Sequence, residues 1–546
     1  MKILNIYKSI GVVVLAATLL VSCSELEFDI PVEQEVALTS GSADFSKYVA
    51  VGASFTAGVS DNALFIASQT NSWPNTLASQ FSAAGGGDFN QPFVSDNIGG
   101  LLYGGTVIQP PRLYFNGAGP AVLPDAIPTT ETTNVLTGPF NNVGVPGAKS
   151  YHLLAPGYGN LAGVPLGTAN PFFARMASSP SVTMLEEAVS QNPTFFTLSE
   201  MGGNDVLSYS TSGGAGVDQT GNPDVTTYSG FDITDPGVFT ASVTAAVAAL
   251  TANGAKGCLT TVPYVTSLPF FTTVGHAPIT PDAFENGQIA ALNAQFEPLN
   301  QAFAFLGVPE RAINFSETDA SPIVIFDKDL ESISEQLNAV LLGGGLDPLT
   351  AGLLSAQFGQ SRQTTSADLV LLTSASVIAS VNEANYQFLY ESIYGALVGA
   401  GFPEDAAAAS AAEQAGQLSV NGVTFPIADN FVLTEQETDR VINATDAYNL
   451  SVDAICTQYD LAKVDLRTIL EEASQTGLMY DSFMMNTDLV FGGLVSLDGV
   501  HFTARGYSLM ANKFLEAIDA KYGSNFVQAG QRAYANDFPV SYPLNL

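Results

Sequence analysis

Short apolar runs recur along this chain, each closed within a few residues by Gly, Pro or a polar turn. Residues 47–51, 194–198 and 257–262 are such runs, and Lys463-Val464-Asp465-Leu466 reads as a further short strand. Runs of this length that are continuous rather than alternating predict strands buried on both faces of a sheet. Longer stretches between them have helical spacing. Residues 238–250 are rich in Ala and Val, and 505–522 carry an amphipathic pattern. Residues 434–459 also read as a helix, opened by Thr434 and Glu437 at the spacing of a capping box. Ser72-Trp73-Pro74, followed by Leu77 and Phe81, predicts a helix with Pro in its first turn. Strands alternating with helices predict an α/β fold, a parallel sheet with helices on both faces.

The alternation breaks twice. Residues 84–147 are rich in Gly, Pro and Asn and read as long loops. Between about 300 and 433 the pattern changes again. Residues 312–326 read as a hairpin around Thr318-Asp319-Ala320-Ser321, 330–342 and 386–399 as helices, and 406–415 as a low-complexity Ala run. This block is expected to be a large, partly helical insertion within one domain spanning 44–546.

The amino-terminal pattern is of another kind. Lys2 and Lys8 precede an apolar run over 10–21, shorter than the roughly 20 residues a bilayer span needs. The run ends in Leu20-Val21-Ser22-Cys23, which resembles the bacterial lipoprotein signal. That resemblance implies a signal peptide over 1–22, lipidation of Cys23, and a tether over 23–43. The acidic residues Glu25, Glu27 and Asp29 resemble the surface-export signal of Bacteroidetes lipoproteins. The expected location is the cell envelope, at the outer membrane and facing outward. The membrane is then a partner through acyl chains on Cys23 rather than through a spanning helix.

Charge narrows the partners. Lys and Arg number 17 against 52 Asp and Glu, a net charge of −35, which phosphate backbones repel, so nucleic acid is excluded. With 46 % hydrophobic residues, the chain has ample material for a core despite that charge. Beyond Cys23 only Cys258 and Cys456 remain, read as one disulfide or as two buried thiols. No CxxC spacing suggests a metal. The acidic loop 218–224 has Ca²⁺-like composition but reads as a solvated loop.

The chain has three histidines, His152, His276 and His501. It has no HExxH, no Walker A loop and no GxGxxG after a strand. Four glycine-bearing stretches remain. Gly52-Ala53-Ser54-Phe55-Thr56-Ala57-Gly58 follows the first strand, and Gly202-Gly203-Asn204-Asp205 follows the second. Asn142-Val143-Gly144-Val145-Pro146-Gly147 lies between them, and Asp498-Gly499-Val500-His501 comes late. In an open α/β sheet, ligands bind at the carboxyl ends of the strands. Taken singly, each stretch has a plain reading: Ser54 as a helix cap, Asn204 and Asp205 as turn formers, Asp498 and His501 as a surface turn.

In this order, the four stretches resemble the signature blocks of the SGNH (GDSL) hydrolase family, over about 44–275 and 434–523. The resemblance implies a three-layer α/β/α, flavodoxin-like fold and hydrolysis of esters or thioesters without metal or cofactor. It implies Ser54 as nucleophile, His501 as its base and Asp498 as the acid that orients His501. The oxyanion hole it implies joins the backbone N–H groups of Ser54 and Gly147 to the side-chain amide of Asn204. One departure stands out: the first block reads Gly52-Ala53-Ser54-Phe55 where Gly-Asp-Ser-Leu is usual. The expected function is a serine esterase or lipase that cleaves acyl, lipid-type esters through an acyl-Ser54 intermediate. The alternatives are a carbohydrate acetyl esterase and a non-catalytic lipoprotein that binds glycan or lipid. Apolar stretches at 367–376 and 396–402 are candidates for an acyl pocket or for the insertion's own core.

Overall fold

The four expected strands form, and a fifth, Asn142–Gly144, forms inside the stretch that reads as loop; together they make one sheet: β1 (Tyr48–Gly52), β2 (Asn142–Gly144), β3 (Phe195–Ser199), β4 (Lys256–Thr260) and β5 (Ala462–Val464). The computed structural model describes residues 36–285 and 287–546. The expectations for 1–22 and for Cys23 lie outside those residues. Residues Leu38–Leu546 cluster as one compact unit. The strands lie in the order β2-β1-β3-β4-β5, and every neighbouring pair is parallel. Val51 stands opposite Val143 on one side and Leu198 on the other. Every residue of β1 and β3 is buried, as strands covered on both faces require. The order is that of a flavodoxin-type doubly wound sheet, whose switch point lies between β1 and β3.

Helices cover both faces. Along the chain they are α1 (Ser54–Ala57), α2 (Trp73–Ser82), α3 (Met184–Ser190), α4 (Gly203–Thr211), α5 (Pro236–Thr251), α6 (Glu435–Tyr459) and α7 (Ala504–Tyr522). One group pairs α2 with α7, which lies on β4 and β5. The other packs α5 against α3 and α6, with α3 on β1 and α6 on β4. Trp73 at the start of α2 is wholly buried and meets Phe55, Phe502, Tyr507 and Phe514. Those rings tie the turn after β1 to the segment that precedes α7. The fold is therefore α/β, with a central five-stranded parallel sheet flanked by helices.

The Gly- and Asn-rich stretch after α2 holds two short hairpins, Leu101–Tyr103 with Thr106–Gln109 and Leu113–Phe115 with Pro120–Val122. A second apolar core draws on residues from Ile279 to Val432, including Phe303, Ile325, Leu337 and Phe358. The hairpin expected over 312–326 does not form. Val324–Phe326 pairs instead with Ser361–Gln363, far along the chain. The backbone before it is held by side chains of the helix Gln288–Phe305: Asn300 Oδ1 accepts the Ile313 N–H at 2.8 Å and Asn293 Oδ1 the Phe315 N–H at 2.9 Å. The Ala run forms the helix Glu404–Gln417, which buries Ala407, Ala411 and Ala415 at a spacing of four. Cys258 and Cys456 are buried free thiols. Among the described residues, no helix is long and apolar enough to cross a membrane.

Candidate active site

β1 ends at Gly52, and α1 begins two residues later with Ser54. This sharp strand-to-helix turn places the Ser54 hydroxyl at the carboxyl edge of the sheet. A buried carboxylate, Glu200, holds the turn from below. Its Oε1 accepts the N–H groups of Ala53 (2.6 Å) and Thr56 (2.9 Å), and its Oε2 accepts the Thr56 hydroxyl (2.9 Å). Glu200 follows β3 and takes a left-handed backbone, φ 48°. Burial pushes its carboxyl up from 4.5 to about 7, opposed by the hydrogen bonds it accepts. With Ala at position 53, the carboxyl group at that turn comes from Glu200, just after the neighbouring strand. Sequence reading missed this residue. The only available signal was a carboxylate directly after a buried strand, between Ser199 and Met201.

The late Asp498 and His501 meet Ser54 across the edge of the sheet. His501 Nε2 lies 2.8 Å from Ser54 Oγ, and His501 Nδ1 lies 2.8 Å from Asp498 Oδ2. Phe55 packs edge-on against the imidazole, with ring centroids 5.3 Å apart. Asp498 is 8 % exposed and His501 15 %, so the acid is shielded while the base stays reachable. Asp498 Oδ1 also accepts the N–H groups of Val500 and His501, both at 2.9 Å, and the Ser496 hydroxyl at 3.0 Å. Its Oδ2 accepts the Asn62 N–H at 2.8 Å. Burial alone would push this carboxyl up. The adjoining His501 and these donors outweigh burial and hold it well below the usual carboxylate range. A second buried acid, Asp61, braces the same loop by accepting the Leu497 N–H at 3.1 Å.

Of the three expected oxyanion donors, Ser54 and Asn204 line one recess, and Asn204 is bonded to the residue after Gly147. Asn204 lies in the first turn of α4, directly after β3, and its Nδ2 donates to Ala148 O at 3.0 Å. One amide hydrogen is used there, which leaves the other for a ligand. Asp205 ties the same loop to α4 by accepting the Ser150 N–H (2.9 Å) and hydroxyl (2.6 Å). Gly147 has φ +80°, a left-handed geometry that glycine adopts without strain. The N–H groups of Ser54 and Gly147 have no acceptor among the described residues. Ahead of α4, Gly202 has φ +104°, and a Cβ there would lie 2.7 Å from Val262 Cγ2.

His152 is committed elsewhere. His152 Nδ1 accepts the Lys149 N–H at 3.0 Å, and its ring stacks on Tyr158 at 4.0 Å. Burial pushes its imidazole down to about 3, which keeps it neutral. His276 lends its carbonyl to the Thr364 hydroxyl at the entry to the insertion. Neither apolar stretch proposed for an acyl pocket lines the recess beside Ser54. Leu371 sits in the main core, Val370 in the insertion's core, and Leu397 packs in the helix pair of 383–417. The recess is walled instead by Phe55 and Val500 of the motif stretches and by Val206, Leu207, Pro263, Val265 and Leu268, which the sequence reading did not single out.

Chemically, the arrangement provides a hydroxyl with a base in contact, an acid fixing that base, and free donors beside the hydroxyl. A search of protein-family models, of curated proteins and of solved structures finds no match to the chain.

Proposed function

We propose that the protein is a serine hydrolase of carboxylic esters, of the kind that its four SGNH-like stretches suggest. The observation that carries this reading is the unbroken Ser54–His501–Asp498 chain, with both links at 2.8 Å. His501 Nε2 takes the Ser54 proton as Oγ attacks the ester carbonyl. The ionised Asp498 holds His501 in the tautomer with its proton on Nδ1 and stabilises the imidazolium that forms. The developing oxyanion is received by the N–H groups of Ser54 and Gly147 and by the Asn204 amide. Collapse expels the alcohol, protonated by His501, and leaves acyl-Ser54. Water, deprotonated by His501, attacks that ester and releases the carboxylic acid and free Ser54. No step calls for a metal or cofactor. We place this chemistry at the cell envelope, tethered through a lipidated Cys23, on the strength of Leu20-Val21-Ser22-Cys23.

The test is turnover of a panel of p-nitrophenyl esters and acetylated glycans by the protein and by Ser54→Ala. Hydrolysis of at least one ester, abolished in the variant, is expected. Activity unchanged in Ser54→Ala would overturn the mechanism. No turnover of any member would favour the non-catalytic binding reading.

A further inference from the structure

The recess beside Ser54 is small. Including its mouth it encloses about 460 Å³, but the space open to atoms of water size narrows to about 30 Å³. Beside Phe55 and the buried Glu200, its walls come from three further elements. Val206 and Leu207 project from α4, Pro263, Val265 and Leu268 from the loop after β4, and Val500 from the loop that carries His501. Val206, Val265, Leu268 and Val500 are all buried, so they are wedged into the core behind them. The two loops are tied to each other, since the Phe270 N–H donates to Gly499 O at 3.0 Å. A wall built this way does not swing aside like a free loop. Two surface grooves are far larger, about 550 and 540 Å³, but no residue lining either one lines the Ser54 recess.

We infer that this recess receives the acyl group and admits only short chains, of about two to four carbons. The inference rests on the ester-hydrolase reading and names its substrate class. Asn204 and Ser54, which hold the carbonyl oxygen, both line the recess, so the acyl tail enters it as the carbonyl seats. A water-sized group needs about 10–15 Å³ of such space, so 30 Å³ takes two or three of them. Apart from Ser54, Asn204 and the buried Glu200, the lining is apolar, which suits a methyl, ethyl or propyl tail. A fatty acyl chain, with many more such groups, exceeds that space. The substrate class is therefore short-acyl esters, acetyl to butanoyl, with the alcohol portion on the open side by His501. Gly203 marks where the pocket can be made smaller. It lines the recess, and a methyl group there would meet no heavy atom within 4 Å beyond its own helix and chain neighbours.

The test compares kcat/KM for p-nitrophenyl acetate, butanoate and octanoate in the unaltered protein, Gly203→Ala and Leu268→Ala. A methylene without room in a pocket is worth roughly 10-fold or more, so octanoate is expected to run at least about 100-fold below butanoate. Leu268→Ala lengthens the pocket and is expected to raise the octanoate-to-acetate ratio about tenfold. Gly203→Ala is expected to lower the butanoate-to-acetate ratio. Octanoate turned over as well as butanoate by the unaltered protein would overturn the inference and leave the hydrolase reading standing. So would chain-length ratios unchanged in both variants. No hydrolysis of any of the three esters, with acetylated glycans also untouched, would remove the hydrolase reading, and the acyl preference with it.

Discussion

Glu200 offers the sharpest physical test of how the nucleophile turn is held. Its carboxyl is raised from 4.5 to about 7, chiefly by burial. The fold thus favours the protonated form, and the stability this brings is complete below about pH 4.5 and is lost as pH climbs through 7. At 1.36 kcal/mol per pH unit the loss amounts to about 3 kcal/mol. Glu200→Gln keeps an acceptor for the Ala53 and Thr56 N–H groups and carries no charge to bury. Its stability relative to the unaltered protein is therefore expected to rise by about 3 kcal/mol between pH 4.5 and pH 8. Urea unfolding at a series of pH values measures the difference, and other titrating groups cancel between the two proteins. Glu200→Ala, by contrast, strands two buried N–H groups at about 1–3 kcal/mol each. Ester hydrolysis is expected to survive in the Gln variant and fall steeply in the Ala variant. A stability gap between the unaltered and Gln proteins that stays flat across this range would refute the reasoning.

Three further outcomes follow from the same geometry. Asp498→Asn removes the charge that fixes the His501 tautomer and is expected to lower kcat about 10⁴-fold with little change in KM, read from steady-state kinetics. Asn204→Ala removes one oxyanion donor and is expected to lower kcat about 10²- to 10³-fold, measured in the same assay. A chain lacking residues 1–23 should show no thiol reactive to Ellman's reagent while folded and two after denaturation, because Cys258 and Cys456 are free but buried. Burial pushes the Cys456 thiol up to about 11 and the Cys258 thiol well above its usual value.

The sheet was legible because its strands are locally simple. Val49 to Val51 is apolar at every position, Phe195 to Leu198 at all but Thr197, and both are followed by turn residues, so length and punctuation identify them. The site was legible for a related reason: Ser54, Gly147 and Asn204 each sit just past a strand, where a doubly wound sheet presents its residues. What stayed hidden depends on contacts between distant positions. Glu200 meets Ala53 across 147 residues, and the Asn62 N–H meets Asp498 across 436. The pairing of Val324–Phe326 with Ser361–Gln363 overrides a hairpin that local pattern favours. The acyl recess was sought at 367–376 and 396–402 because those stretches are apolar, yet apolar residues in an insertion first serve its own core. Leu268 and Val206 come to Ser54 only because β3 and β4 are neighbours in the sheet.

The central claim is that Ser54 is the nucleophile of an ester hydrolase, and a fluorophosphonate tests it most directly. The account predicts one phosphonyl group per chain, located on Ser54 by peptide mass spectrometry. Hydrolysis should fall in step with labelling, and His501→Ala should not be labelled. Full ester hydrolysis in protein left unlabelled at Ser54, or labelling of a different serine that abolishes it, would contradict the account.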